Sequence, residues 1–120
     1  MVSEIVFEPK LAEALEGLEQ FSHIIVVFFM HKVAPQRDIP AKVHPRGQRE
    51  LPLMGLFATR APHRPNHIGI KTVKLLERRD NVLKVKGLDA VNGTPIIDIK
   101  PYLPGYDSPP EATRPNWATK

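Results

Sequence analysis

Gly55-Leu56-Phe57-Ala58-Thr59-Arg60-Ala61-Pro62-His63-Arg64-Pro65-Asn66-His67-Ile68-Gly69-Ile70 sets the architecture of this chain. It opens on a short apolar run, Leu56 to Ala58, that reads as the end of a buried strand. It closes on a second apolar run from Ile68. Between them, Pro62 and Pro65 fix φ at two points and hold the residues before them, Ala61 and Arg64, in extended geometry, so no helix passes through. The product is a stiff cationic loop carrying Arg60, His63, Arg64, Asn66 and His67 between two strands. Charged residues on a loop held by a rigid scaffold are where binding and chemistry concentrate. The competing reading is a surface turn whose charges are merely solvated.

Working outward, Leu53 to Ala58 is expected as the strand entering the loop, and Ile68 to Leu76 as a half-buried strand leaving it. Arg79-Asp80-Asn81 is a turn signal, and Val82, Leu83 and Val85 continue as the second arm of a hairpin. Asn92-Gly93 is the strongest short turn signal, between Leu88-Asp89-Ala90 and Ile96-Ile97-Asp98-Ile99. Upstream, Ser22 to His31 is almost continuously apolar and β-branched, which predicts a strand buried on both faces. Leu11, Leu15 and Leu18 fall at helical spacing and predict one short helix with Gly17 near its end. Ile5, Val6 and Phe7, closed by Pro9, predict a first strand. Lys32 to Pro52 is a long loop with Pro35, Pro40, Pro45 and Pro52, of a length that is functional or disordered in a compact domain. After Tyr102 the chain is Pro-rich and extended, packed only near Tyr106 or Trp117. Short strands with one helix imply a mainly β fold: a small antiparallel β barrel with long Pro-rich loops, one domain over 1–120, with an extended tail from about 103.

Composition narrows the chemistry. The 120 residues hold no cysteine, which excludes disulfides, thiolate nucleophiles and Cys-based metal sites. Met1-Val2-Ser3-Glu4 lacks the features of a signal peptide, and the longest apolar run, Ile24 to Met30, falls far short of a membrane span. A cytoplasmic protein without membrane contact is the expectation. Net charge is +4, from 17 Lys and Arg against 13 Asp and Glu. The excess sits between His31 and Arg64, where seven cations (Lys32, Arg37, Lys42, Arg46, Arg49, Arg60, Arg64) face two carboxylates, Asp38 and Glu50. Concentrated positive charge attracts polyanions; a solvated basic loop is the alternative. His63 and His67 have the spacing of metal ligands on a helix, but Pro65 stands between them and no carboxylate is near, so no metal site is expected. No phosphate-binding Gly-rich loop, dinucleotide fingerprint or Ser-His-Asp order stands out. The residues alone support a basic, loop-rich β domain for an anionic partner.

Three blocks carry a resemblance. Phe57 to Ile70 resembles F-A-T-R-S-P-x-R-P-N-P-I-G-L, the signature of the TrmO/TsaA (YaeB-like) family. Gly87-Leu88-Asp89-Ala90-Val91-Asn92-Gly93-Thr94-Pro95-Ile96-Ile97-Asp98-Ile99-Lys100-Pro101-Tyr102 is similar to that family's G-L-D-A-x-D-G-T-P-v-x-D-I-K-P-Y. Ala12 to His23 resembles its A-E-A-L-x-G-L-E-x-F-S-H. The resemblance implies a β-barrel methyltransferase that uses S-adenosyl-L-methionine, works as a homodimer, and methylates N6 of a threonylcarbamoylated adenosine beside the anticodon of certain tRNAs. It implies a donor pocket lined by His31, Lys32, Arg60, Ile70, Gly87, Leu88, Asp89 and Ala90, with Arg64, Asn66 and Lys100 toward the substrate. Arg60 suits bidentate pairing with the methionyl carboxylate, Asp89 suits the ribose hydroxyls or the ammonium, and Ile70 offers apolar contact to adenine. Asp89 has a second reading, as a cap of the Asn92-Gly93 turn. Three positions depart from the pattern: Ala61 for Ser, His67 for Pro, Asn92 for Asp. Family sequences also carry I-G-x-I-x-S-P ahead of the region matching Glu4 to Pro9, where this sequence begins. A non-catalytic S-adenosylmethionine- or RNA-binding module is therefore the alternative.

Overall fold

The computed structural model describes residues 1–33, 38–89 and 92–118. Seven strands form among them: β1 (Val2–Val6), β2 (His23–Phe29), β3 (Lys42–Val43), β4 (Met54–Gly55), β5 (Ile68–Arg79), β6 (Val82–Lys86) and β7 (Ile96–Pro101). Five make one sheet in the order β1-β6-β5-β2-β7, every pairing antiparallel, while β3 and β4 make a separate two-residue ribbon. The fold is mainly β, as expected. The expected closure is not present: β1 and β7 are the two edges and share no ladder among the described residues. Ser3 to Val6 of β1 and Ile96 of β7 instead line a common cavity of about 680 Å³. A barrel closes only when its edges exchange backbone hydrogen bonds, and here a gap stands in their place.

β2 departs from its expected burial. It alternates, with Ile24 and Val26 fully buried on one face and Phe29 on the other at 41% exposure. An antiparallel sheet covered on one side buries only every second residue. The continuous apolar run is real, but every second residue of it, Ile25, Val27 and Phe29, faces outward. Ile24 and Val26 join Ile5, Leu15, Val73, Leu75, Leu83, Val85 and Leu88 in one core.

The hairpin is longer than read. β5 runs 12 residues, to Arg79, because a bulge between Leu75 and Glu77 lets it pair first with β2 and then with β6. The extra residue bends the strand and turns Leu76 outward. Asp80 takes the left-handed turn position at φ 53. Asn81 then ties β1 to the hairpin: its side-chain amide donates to the Phe7 carbonyl, and the Phe7 N–H donates to the Asn81 carbonyl at 2.8 Å.

Two helical expectations change form. The expected helix is a pair of 3-10 helices, Pro9–Leu15 and Leu18–Gln20, separated by Gly17 at φ 94. Seven residues without a side-chain N-cap do not repay the nucleation cost of an α-helix, and only Leu15 of this segment is buried. Leu56–Ala58, expected as strand, is also a 3-10 helix, with Leu56 buried and Phe57 77% exposed. The cause is Thr59, whose N–H and hydroxyl both bond the Leu56 carbonyl, at 3.1 and 2.7 Å, and close the turn. The tail ends in a 3-10 helix over Asn116–Ala118; Trp117 is half-buried while Tyr106 stands 81% exposed.

Candidate functional site

The cationic loop is held by its own side chains. The Thr59 hydroxyl donates to Leu56 and accepts from the Ala61 N–H at 3.2 Å. Arg64 reaches back across the loop, its Nη1 donating to the carbonyls of Thr59 at 2.8 Å and Ala61 at 3.1 Å. Its guanidinium also lies 5.5 Å from the centroid of the Phe57 ring, within cation–π range. Arg64, expected toward the substrate, is first a brace of the loop. The far end is fixed to β2: the Met30 N–H donates to the His67 carbonyl at 2.7 Å, and the His67 ring stacks on Phe29 at 6.1 Å. His63 has a buried Nδ1 with no hydrogen-bond partner.

With both ends pinned, Arg60 is left exposed, and it makes no hydrogen bond or ion pair among the described residues. It lines a cavity of about 800 Å³ with Arg46, Met54, Phe57, Arg114 and Trp117. His31 and Lys32 follow the end of β2, next to the loop's exit, because Phe29 pairs with Ile68. Asn66 lines a smaller cavity of about 360 Å³ with Phe29, Pro65, His67, Ile68 and Ile97. Ile70 pairs with Val27 and is 53% exposed, on the sheet face away from the core.

The Gly87–Asp89 segment approaches β5 from the other side. The Gly87 N–H donates to the Met1 carbonyl at 3.1 Å, and Leu88 is a core residue at 6% exposure. Asp89 is exposed and its Oδ2 lies 3.7 Å from the Lys71 ammonium, one residue beyond Ile70. Ala90 lies outside the described residues, as do Pro35 and Arg37 of the long loop. Lys100 pairs with Asp98 at 2.9 Å. That hydrogen bond, helped by the Ile99 N–H, holds the Asp98 carboxyl below its ordinary 3.8 against a smaller upward push from burial.

The expected donor residues therefore do not share one enclosed pocket. Arg60 lines one cavity, Leu88 lines the gap between the sheet edges, and β5 links them by carrying Ile70 and the Lys71 partner of Asp89. Sequence reasoning passed over Lys71, although it directly follows the matched signature. It counted Arg46 only as bulk charge and Trp117 only as tail packing. Among the described residues no group of three His, Asp or Glu side chains converges as a metal site, and no helix is long and apolar enough to cross a membrane.

Comparison with known proteins gives one consistent answer. Residues 1–108 match the family described as tRNA-methyltransferase O N-terminal domain. A probable S-adenosyl-L-methionine-binding protein of Archaeoglobus fulgidus is 48% identical over 105 residues, covering 88% of this chain and 27% of that relative. The human tRNA (adenine(37)-N6)-methyltransferase is 42% identical over 102 residues, covering 85% of this chain and 23% of the enzyme. The crystal structure of TrmO from Pseudomonas aeruginosa superposes with a TM-score of 0.73 at 36% identity, over 93% of this chain and 46% of that one. The chain thus spans less than half the length of these three relatives.

Proposed function

The chain belongs to the tRNA-methyltransferase O N-terminal-domain family, and from that premise we propose that it binds S-adenosyl-L-methionine and transfers its methyl group to N6 of adenosine in tRNA. The acceptor is a threonylcarbamoylated adenosine beside the anticodon. The observation that carries this reading is Arg60: an exposed guanidinium without a partner among the described residues, on a loop braced at Thr59, Arg64 and His67.

The residues fit the donor by their chemistry. A guanidinium at Arg60 matches the methionyl carboxylate in a two-pronged hydrogen bond. The Asp89 carboxylate, tied loosely to Lys71 at 3.7 Å, accepts from ribose hydroxyls or the donor's ammonium. Ile70 supplies apolar contact to adenine, His31 and Lys32 border the same end of β2, and Gly87 to Ala90 offers backbone groups. When bound, the donor supplies a methyl carbon on a sulfonium, whose sulfur leaves with the bonding electron pair. The protein's share is to hold N6 in line with that bond; as the N–CH3 bond forms the N6–H bond breaks and its proton passes to solvent. Such positioning is worth up to about 7–11 kcal/mol. Asn66 and Lys100 face the RNA side, with Arg64 holding the loop and one edge of the acceptor.

The homodimer rests on the outer sheet face, where Phe29, Ile68, Ile70 and Ile97 stand 41–53% exposed beside half-buried Val27. Contiguous apolar exposure of this kind marks an interaction surface. Light scattering on Ile97→Glu checks it: the expected outcome is a shift to monomer.

A second reading is favoured by the open gap between β1 and β7 and by the Archaeoglobus relative being named only as a binding protein: a module that holds the donor without transferring methyl. Calorimetry with S-adenosylmethionine, followed by mass spectrometry of tRNA nucleosides after incubation, separates the two. Arg60→Ala is expected to abolish donor binding while leaving the circular dichroism unchanged. An unaltered donor affinity in that variant refutes the site.

A further inference from the structure

The cavity of about 800 Å³ beside the cationic loop has a composition the donor does not explain. Its lining includes three guanidiniums, Arg46, Arg60 and Arg114, two large aromatics, Phe57 and Trp117, and no Asp or Glu. The cavity between the sheet edges has the opposite sign, with Glu4 and Glu8 among its lining residues and no Lys or Arg. S-adenosylmethionine bears two positive groups and a single carboxylate, which Arg60 alone can take, so nothing in the donor calls for Arg46, Arg114, Phe57 and Trp117 in addition. A phosphodiester carries one negative charge per nucleotide and a flat base, and matches both parts of the lining. Cationic grooves with aromatic platforms are the general solution for single-stranded nucleic acid.

We propose that this cavity seats a nucleotide of single-stranded RNA, with its phosphate among Arg46 and Arg114 and its base against Phe57 and Trp117. The inference rests on the RNA reading above and names the subsite that RNA occupies.

Two features show how the seat is built. The Phe57 ring is exposed, yet steadied by the Arg64 guanidinium 5.5 Å from its centroid, so a stacking surface is ready before a base arrives. Trp117 comes from the tail, and Arg46 Nη2 donates to its carbonyl at 3.3 Å across 71 residues of sequence. The tail residues of the cavity, Thr113 to Ala118, lie beyond the stretch that matches the family, 1–108. Arg46 itself adopts φ 56, in the left-handed region, followed by Gly47 at φ 67. A bulky residue held there costs of order 1 kcal/mol or more, and such strain collects at ligand sites.

The chain has a single tryptophan, so Trp117 fluorescence reports on this cavity alone. Titration with a short oligoadenylate is expected to quench it saturably. Phe57→Ala should weaken binding roughly 5- to 100-fold, the usual loss for a base–aromatic stack. Arg46→Gln and Arg114→Gln should each reduce the slope of log K against log salt by about 0.7. Polarisation of a labelled oligoadenylate follows Trp117→Ala, which should weaken binding as Phe57→Ala does. Calorimetry with S-adenosylmethionine alone should give the same affinity for Phe57→Ala and the unaltered chain. Three results overturn the proposal: no oligoadenylate binding, binding without quenching and with unchanged variants, or quenching of Trp117 by S-adenosylmethionine that competes with the RNA. The first two leave donor binding and methyl transfer to their own assays, and the third reassigns the cavity to the donor.

Discussion

Gly69→Ala tests how the loop is anchored to the sheet. Gly69 pairs with Phe28 across β2 and β5, and a Cβ built on it would lie 2.7 Å from two ring carbons of Phe28, with Met30 Cγ at 3.4 Å. Its φ lies outside the left-handed region, so alanine can adopt the backbone and the cost comes from the contact alone. Phe28 packs against the core, so its ring cannot swing away without displacing neighbours. Overpacking of this kind costs about 1–3 kcal/mol. Alanine returns about 0.4–1 kcal/mol by restricting the unfolded chain, which leaves a net loss between about 0 and 2.6 kcal/mol. A chain of this length unfolds with an entropy of about 0.25 kcal/mol/K, so Tm should fall by up to about 10 °C. The decisive assay is a double-mutant cycle by urea unfolding. In a Phe28→Ala background the ring is gone, and Gly69→Ala should change sign and stabilise by about 0.4–1 kcal/mol. Equal destabilisation in both backgrounds would refute the contact as the cause.

Three further outcomes follow from the same geometry. Thr59→Val removes the hydroxyl that accepts from Ala61; hydrogen exchange of the Ala61 amide should accelerate about 2- to 10-fold while exchange in β2 stays unchanged. Asn81→Ala leaves the Phe7 carbonyl without its side-chain donor and should cost about 1–3 kcal/mol in chemical denaturation, with protection lost first in β1. Asp98 has its folded pKa below the ordinary 3.8, so its tie to Lys100 is present above that value and is lost as pH falls through the depressed one. Carboxyl NMR should record a low midpoint for Asp98, and Lys100→Gln should raise it; an unmoved midpoint would mean that Lys100 is not its main partner.

Several parts of the fold were legible because their signals are local. The β5–β6 hairpin is announced by Asp80-Asn81 between two alternating runs, and Gly93, at φ 85, supplies the left-handed conformation that the Asn92-Gly93 turn needs. Pro62 and Pro65 stiffen their loop through fixed dihedrals, which no tertiary context changes. The expected site residues also came from the sequence, as stretches matching a family pattern, and the loop that carries Arg60 does stand open beside a cavity.

Composition and short-range pattern thus determined the β class, the hairpin and the proline-stiffened cationic loop, and resemblance to known signature blocks supplied the family. Tertiary structure alone decided which face of the β2 run is buried, since alternation appears only once a neighbour covers one face. It also decided that Leu56–Ala58 coils rather than extends, since the Thr59 bonds to Leu56 outweigh strand propensity. It set β1 and β7 apart as open edges and brought Trp117 to Arg46 across 71 residues. Contacts between distant segments leave no periodicity in the chain, because they are chosen by the packing of the whole sheet rather than by any residue's own preference.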